Sequence, residues 1–192
     1  MRIIAGNAKG RILLQPAGVT RPTSDRTREG IFSALESEIG TCEGITFLDL
    51  FSGTGAVGLE ALSRGASEVV AVEKDKKAAG VCRENYELVK SSVSGKFSTL
   101  QMSVDSYLDL EESKLLNSDV VYLDPPYEVA NEVIEKVLSK ILERGILHPD
   151  AVVIVERSSR VAPFSWPAGL LASKERKYGE GAVYFGLLSA IS

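Results

Sequence analysis

The chain has 192 residues, of which 44% are hydrophobic and 25% charged, and its formal net charge is −4. This length and composition are typical of one globular domain, and no apolar run approaches the ~20 residues that a membrane-spanning helix needs. The only histidine, His148, precedes Pro149 in a predicted loop and is expected at the surface, which argues against a histidine-based catalytic triad, and a single histidine excludes a multi-histidine metal site. The lack of a secretory h-region and the expectation that Cys42 and Cys82 are free thiols indicate a cytoplasmic protein.

Positive charge is concentrated at the start of the chain. Residues 1–30 contain six basic and two acidic residues, a local charge of +4, which leaves −8 for the rest. Such an asymmetry indicates that a polyanion is contacted from one side, although a solvated basic surface explains it equally well.

The first predicted elements form a small N-terminal extension. Two short apolar stretches, residues 2–5 and 11–14, flank Gly-Asn-Ala-Lys-Gly and predict a β-hairpin. After a loop at 20–23, Ser24 or Asp25 is suited to cap a helix that runs to about Ile39. We therefore expect residues 1–40 to form a basic hairpin and helix in front of a main domain that covers residues 41–192.

From residue 45 onward, short apolar strands alternate with helical segments. The predicted order is strand 45–50, helix 56–64, strand 68–73, helix 75–91, strand 97–102, a short helix near 105–112, strand 118–123, helix 129–143 and strand 151–156. Residues 174–178 and 182–188 flank Gly-Glu-Gly and predict an antiparallel hairpin. The predicted fold class is α/β: a Rossmann-like, doubly wound, mostly parallel seven-stranded sheet that ends in an antiparallel hairpin.

A glycine-rich loop follows the first strand of the main domain. Gly53, Gly55 and Gly58 satisfy G-x-G-x-x-G, and Glu73 ends the next strand twenty residues later. These features suit either NAD or S-adenosylmethionine, because both ligands have ribose hydroxyls that Glu73 can bind. Asp49 favours S-adenosylmethionine, since a carboxylate beside the loop repels a pyrophosphate but attracts an ammonium group.

Four acids end successive predicted strands: Asp49, Glu73, Asp105 and Asp124. Ligands of open α/β sheets bind at the carboxyl ends of the strands, so these side chains are expected along one rim. Asp105 follows the third strand and is a candidate partner for the amino group of adenine.

The tetrapeptide Asp124-Pro125-Pro126-Tyr127 follows the apolar strand 118–123. Proline fixes φ and has no N–H, so the turn presents carbonyl acceptors beside the Asp124 carboxylate. Tyr127 supplies a flat face on which a base can stack. Such a ledge suits a planar ring that carries an exocyclic amine, and Asp124 could also accept N1–H of guanine, which adenine lacks.

At these motifs the chain resembles class I S-adenosylmethionine-dependent methyltransferases that act on exocyclic amines. More narrowly, it resembles the RsmD-type enzymes that methylate N2 of a guanine in bacterial 16S rRNA. The resemblance covers nearly the whole chain and rests on RIIAG (2–6), KGR (9–11), RPTSDRTREGIFSAL (21–35), DLFSGTGAVGLEALSRGA (49–66), VVAVEKD (69–75), DPPY (124–127) and Tyr178-Gly179. The block that begins RPTSDRTRE is the most specific of these.

The resemblance implies a target guanine numbered 966 in rRNA coordinates, methylated within the small ribosomal subunit by a monomer that needs no metal. The implied cofactor contacts are Asp49, Ser52, Gly53, Gly55, Glu73 and Asp105. The ledge from Asp124 to Tyr127 would hold the base and carry the catalysis. The N-terminal extension would contact RNA through Arg21, Arg26 and Arg28, with Thr23 and Asp25 near the cofactor pocket.

Other interpretations stay open at the level of sequence. An adenine-N6 methyltransferase would use the same ledge, because it presents acceptors to either amine. An NAD-dependent oxidoreductase lacks an obvious proton donor, and Asp49 opposes its pyrophosphate. In a non-catalytic RNA-binding module the four rim acids would be idle. Arg26 has a structural alternative, an ion pair with Glu29, and Trp166 is expected to be a loop or core anchor.

Overall fold

A seven-stranded sheet occupies the centre of the structure, a computed structural model that describes residues 1–15 and 24–189. Its spatial order is 3-2-1-4-5-7-6 in the described part of the chain. The strands are β1 Thr46–Leu50, β2 Glu68–Val72, β3 Lys96–Leu100, β4 Ser118–Leu123, β5 Leu147–Ser158, β6 Leu170–Tyr178 and β7 Gly181–Leu188. The pairs up to β4–β5 are parallel, whereas β5–β7 and β6–β7 are antiparallel. The predicted fold class is confirmed.

Five α-helices accompany the sheet among the described residues, and side chains cap three of their N-termini. They are α1 Asp25–Ile39, α2 Ala56–Ser63, α3 Lys76–Val89, α4 Val104–Asp109 and α5 Asn131–Glu143, with two 3₁₀ turns at Lys90–Ser92 and Glu111–Leu116. The caps are Ser24, Asp75 and Ser103, each of which accepts a backbone N–H three residues on, at 2.8–3.1 Å. Because each cap satisfies an N–H that the helix leaves unpaired, it fixes where the helix begins.

Both faces of the sheet are covered by apolar side chains. On one face the core includes Phe32 and Leu35 of α1, Leu59 of α2 and the sheet residue Tyr122. On the other face Ile134 and Leu138 of α5 pack against the sheet. These two cores bury the sheet on both sides, as expected of a mostly parallel sheet.

The N-terminal extension packs into the same core as the main domain. Arg2 and Ile12 form an isolated antiparallel bridge, so the predicted hairpin is present with only a narrow pairing. Ile3, Ala8 and Leu13 belong to the core that also contains α1 and α2. The fully buried carboxylate of Glu60 in α2 accepts the N–H groups of Ile4 and Ala5 at 2.8 and 3.0 Å. The extension is therefore attached to the sheet domain by apolar and polar contacts together.

The topological switch of the sheet lies between β1 and β4, which are adjacent although β2 and β3 separate them in the chain. Asp49 pairs in register with Tyr122, and Leu50 with Leu123. Crevices at such switch points are the usual binding sites of open α/β sheets.

One strand is longer than predicted. β5 begins at Leu147 rather than 151, because Leu147 pairs with Ser118 before a register shift in β4. His148 therefore lies in a strand and not in the predicted loop. Its Nδ1 is 3.7 Å from Oδ1 of Asp119. Within residues 1–15 and 24–189, no helix combines the length and apolarity that a membrane crossing requires.

Candidate active site

A cavity of about 680 Å³ opens at the carboxyl ends of β1, β2 and β4. It brings together most of the predicted site residues: Asp49, Ser52, Gly53, Glu73, Asp124, Pro125, Pro126 and Tyr127. The start of α1 and the β6–β7 turn complete the wall with Ser24, Arg26, Thr27 and residues 177–181. The cofactor loop and the Asp124 ledge thus share one cavity.

Asp49 is the most buried acid of the cavity. Its Oδ2 accepts the N–H of Gly58 at 3.0 Å, while Oδ1 is buried and has no hydrogen-bond partner among the described residues. Burial raises the pKa of the Asp49 carboxyl to about 7, and the nearby charge of Glu73 adds to the rise. A buried acceptor without a donor is costly, so the site is complementary to a ligand cation.

Two glycines let the loop approach Asp49 and α3 closely. Gly55 is the N-cap of α2 with φ of +77°, and a Cβ there would lie 2.4 Å from Sγ of Cys82. A Cβ on Gly58 would lie 2.9 Å from Cγ1 of Val69 and 3.1 Å from Oδ2 of Asp49, the atom that accepts the Gly58 N–H. Larger residues would therefore displace either the loop or the carboxylate.

Glu73 connects the ends of the first two strands. Its Oε2 accepts the N–H of Gly53 at 2.9 Å, and its Oε1 accepts the N–H of Asp75 at 2.7 Å. These bonds hold the carboxylate at the cavity wall, where each oxygen has a further lone pair. Ser52 adds a buried hydroxyl without a hydrogen-bond partner in the described chain. The set fits S-adenosylmethionine: Asp49 for its ammonium group and Glu73 for its ribose hydroxyls.

The Asp124 ledge is held by its neighbours on both sides. The N–H of Asp124 donates to Leu50 O at 3.4 Å, across the switch point. Arg157, which is almost completely buried, donates to Val129 O at 2.6 Å and to Oδ1 of Asn131 at 3.2 Å. Tyr127 is 56% exposed and so presents its ring at the mouth of the cavity. This arrangement keeps the acceptors fixed and leaves an aromatic surface accessible.

Sequence reasoning missed a buried pair directly beneath the ledge. The hydroxyl of Tyr122 donates to Oε2 of Glu156 at 2.6 Å, and both side chains line the cavity. The pKa of Tyr122 is raised well above its usual value, first by burial and then by the charge of Glu156. The alternation of β4 places Tyr122 on the same face as Asp124, which is a signal that the sequence contained. Arg157 and the β6–β7 turn were missed as well.

Several predicted positions do not line the cavity, among them Gly55, the N-cap of α2. Asp105 does not line the cavity: its carboxylate is exposed in the first turn of α4, 2.6 Å from Nζ of Lys140 in α5. Asp25 lies between the lining residues Ser24 and Arg26 but does not itself line the cavity. Its carboxylate contacts Arg28 at 3.0 Å and Arg2 at 3.7 Å.

Arg28 cannot contact a phosphate in this fold, because its side chain is completely buried. Besides Asp25 it bonds Arg2 O and faces Glu60, so the arginine predicted to bind RNA has a structural role. Arg26 is exposed and lines the cavity. Arg21 and Thr23 lie outside the described residues.

The comparisons with known proteins agree with this geometry. Residues 1–186 match the family model described as "Conserved hypothetical protein 95". The chain belongs to this family. The Conserved hypothetical protein 95 family corresponds to the RsmD-type family that the motifs indicated, so that prediction is confirmed.

Several relatives are named Ribosomal RNA small subunit methyltransferase D. The one from Haemophilus influenzae is 35% identical over 181 residues, which cover 93% of this chain and 89% of the relative. The one from Escherichia coli is 29% identical over 183 residues, which cover 95% and 87%. Among solved structures, yhhF of Escherichia coli has a TM-score of 0.83 and 29% identity, and the match covers 100% of this chain and 99% of that one. The whole architecture is thus shared with these family members.

Proposed function

We propose that the protein transfers a methyl group from S-adenosylmethionine to the exocyclic N2 amine of a guanine in 16S rRNA. One observation carries the proposal: the Asp124-Pro125-Pro126-Tyr127 ledge opens into the same cavity as Asp49, Gly53 and Glu73. A cavity with a cation-binding end and an amine-accepting end suits methyl transfer to nitrogen. The names of the relatives support the small-subunit rRNA as substrate.

The Asp49 end of the cavity binds and orients the cofactor. When bound, S-adenosylmethionine supplies an electrophilic methyl group on its sulfonium. The unpaired Oδ1 of Asp49 accepts the ammonium group, and Glu73, fixed by two backbone N–H groups, accepts the ribose hydroxyls. Asp105 is not part of this proposal, because Lys140 holds it outside the cavity.

The ledge makes the amine reactive. The lone pair of an exocyclic guanine amine is delocalised into the ring, so N2 is a poor nucleophile. Asp124 and the carbonyl of Pro125 accept the amine N–H groups, which draws the lone pair out of the ring plane and stabilises positive charge as it develops on nitrogen. Positioning contributes several kcal/mol of the ~7–11 kcal/mol available from proximity. The base must be unpaired or extruded to enter, at a cost of a few kcal/mol.

The RNA is contacted by the N-terminal extension and by Tyr127. Stacking of the target base on Tyr127 is worth roughly 1–3 kcal/mol. Arg26 is exposed beside the cavity mouth and is the described arginine of the predicted set that suits phosphate contact. We propose guanine 966 in rRNA numbering as the target, within the small ribosomal subunit, and a monomer as the active form.

An adenine-N6 methyltransferase is the second candidate. The ledge favours methylation of adenine N6 as much as methylation of guanine N2, because Asp124 and the Pro125 carbonyl accept N–H groups from either exocyclic amine. An NAD-dependent oxidoreductase is disfavoured, since the buried Asp49 would face a pyrophosphate.

The test is methyl transfer from labelled S-adenosylmethionine to unmodified small ribosomal subunits, free 16S rRNA and unmethylated DNA, followed by digestion to nucleosides. The expected product is N2-methylguanosine from the subunits. Asp124→Ala should abolish it while S-adenosylhomocysteine binding persists, and Asp150→Ala, an exposed acid of β5, serves as the matched control. Label in N6-methyladenine would reject the guanine assignment, and absence of label with every substrate would reject the proposed function.

A further inference from the structure

Glu156 and Asp124 leave neighbouring strands at the same level of the sheet. The parallel register of β4 and β5 pairs Tyr122 with Ile154 and Leu123 with Val155. The residues that follow this last pair are Asp124, directly after β4, and Glu156 on β5. Continuation of the same register places their backbones about one strand spacing apart, ~4.8 Å. Asp124 and Glu156 both line the cavity. Asp124 follows Tyr122 by two residues and Glu156 follows Ile154 by two residues, so both are on the same face of the sheet.

The carboxylate of Glu156 is held in one place. It is 9% exposed, its Oε2 accepts the Tyr122 hydroxyl at 2.6 Å, and its strand pairs with Val183 of β7. On the β7 side, Gly181 lies close, since a Cβ there would be 3.5 Å from Oε1 of Glu156. An acceptor fixed in this way can discriminate between ligands, because a mispaired ligand cannot be accommodated by rotation of the side chain.

The two carboxylates match guanine and not adenine. Guanine presents two adjacent donors, N1–H and the N2 amine, so each can meet one acceptor. Adenine presents an amine beside the bare N1 lone pair, and a carboxylate opposite that lone pair is repelled. A fixed carboxylate that meets a donor on one ligand and a lone pair on the other discriminates strongly against the ligand that lacks the donor.

We propose that Glu156 is the residue that selects guanine, by accepting N1–H of the target base while Asp124 accepts from N2. The inference rests on the proposed function and deepens it, because the ledge alone does not distinguish guanine from adenine. It assigns to Glu156 the N1–H contact that the sequence alone placed on Asp124. Tyr122 is then a positioning residue, which acts on the base through the Glu156 carboxylate.

The first arm of the test changes the substrate and leaves the protein intact. Small subunits are reconstituted with 16S rRNA that carries guanosine or 2-aminopurine riboside at the methylated position. 2-Aminopurine keeps the N2 amine but has no N1–H. The wild-type protein should prefer guanosine by about 100-fold or more in kcat/KM. Equal methylation of the two bases would overturn the proposal while the proposed function stands.

The second arm changes the carboxylate. Glu156→Gln can turn its amide NH₂ toward a bare N1, so the preference for guanosine should fall to less than about tenfold. Tyr122→Phe should weaken the preference in the same direction with unchanged affinity for S-adenosylhomocysteine, which a purely structural role would not produce. Glu175→Gln, an exposed acid of β6, is the matched control and should behave as wild type.

The outcomes distinguish failure of base selection by Glu156 from failure of the proposed methyltransferase function. If Glu156→Gln binds S-adenosylhomocysteine and keeps the wild-type preference, Glu156 does not select the base, although N2-methylation by the wild type still supports the function. If the wild type methylates neither base, the proposed function fails. If Glu156→Gln does not fold, Tyr122→Phe decides, because Tyr122 holds the Glu156 carboxylate: an unchanged preference for guanosine in that variant would overturn the assignment to Glu156.

Discussion

The Nε atom of Arg28 lies 3.6 Å from Oε2 of Glu60, and both side chains are completely buried. Glu60 also accepts Nε of Arg64 at 2.9 Å and the N–H groups of Ile4 and Ala5. The Glu60 carboxylate therefore joins α2 to both parts of the N-terminal extension, the hairpin and α1. Buried charges of this kind are tolerated only when they are paired and hydrogen-bonded.

Removal of the Glu60 charge should destabilise the protein strongly. Glu60→Gln leaves the Arg28 guanidinium buried without its full counter-charge, and breaking such a pair costs about 3–5 kcal/mol of the free energy of unfolding. Urea denaturation measures this change. The control is Glu175→Gln, whose exposed pair with Lys177 should contribute less than about 1 kcal/mol. Equal midpoints for the two variants would contradict the structural role of Glu60.

Arg26, not Arg28, should determine the salt dependence of RNA binding. Arg26 is exposed at the cavity, so Arg26→Ala should reduce the slope of log affinity against log salt by about 1. The measurement is binding to unmodified small subunits across a salt series. Lys90→Ala is the control, because Lys90 is exposed after the C-terminus of α3, on the connection to the start of β3, and does not line the cavity. An unchanged slope for Arg26→Ala would remove this arginine from the RNA interface.

The difference between these two arginines shows where sequence reasoning ends. Strand ends could be predicted from apolar runs, and acids that follow strands share a rim in any parallel sheet, so Asp49, Glu73 and Asp124 were placed correctly in one cavity. Burial of a charge depends on a tertiary partner. Glu60 lies 32 positions after Arg28, and no local pattern pairs them.

The predicted set of rim acids included one residue that lies outside the cavity, Asp105, and omitted one that lines it, Glu156. Asp105 follows β3 but lies in the first turn of α4, where contact with Lys140 draws its carboxylate toward α5. Glu156 was overlooked although it ends the predicted strand 151–156, so the rule that placed Glu73 at the rim applied to it as well. Only its neighbours across the sheet, which depend on the pairing of β5 with β4 and β7, could not be predicted locally.

Tyr127 should contribute to substrate affinity and not to folding. Its ring is more than half exposed, so Tyr127→Ala should leave the thermal midpoint almost unchanged. Loss of base stacking should raise KM for the small subunit roughly 5- to 150-fold, which corresponds to about 1–3 kcal/mol. Tyr127→Phe keeps the aromatic face and is the matched control. A KM for Tyr127→Ala equal to that of wild type would mean that the target base stacks elsewhere.

Asp49 should make the stability of the ligand-free protein depend on pH. Burial raises its pKa from 3.8 to about 7, so between these values the folded protein holds a proton that the unfolded chain has released. The stabilising contribution is complete below about pH 4 and is lost as the pH rises to 7, by up to roughly 4 kcal/mol. Asp49→Asn cannot titrate and should gain stability relative to wild type between pH 5 and pH 8. Urea denaturation at pH 5 and pH 8 measures this gain in the free energy of unfolding. An equal difference between variant and wild type at the two pH values would contradict the prediction. Asp150→Asn is the control for an exposed carboxylate.

The same proton should compete with the cofactor. In the proposed function the ammonium group of S-adenosylhomocysteine would pair with ionised Asp49, so binding below pH 7 would first have to release the proton that burial retains. The affinity should therefore decrease by up to about tenfold for each pH unit below 7 and level off above it. Calorimetric titration at pH 5, 6, 7 and 8 measures this dependence. Asp49→Asn should bind weakly at every pH with a flat profile, whereas a wild-type affinity that is constant from pH 5 to 8 would show that the ligand cation lies away from Asp49.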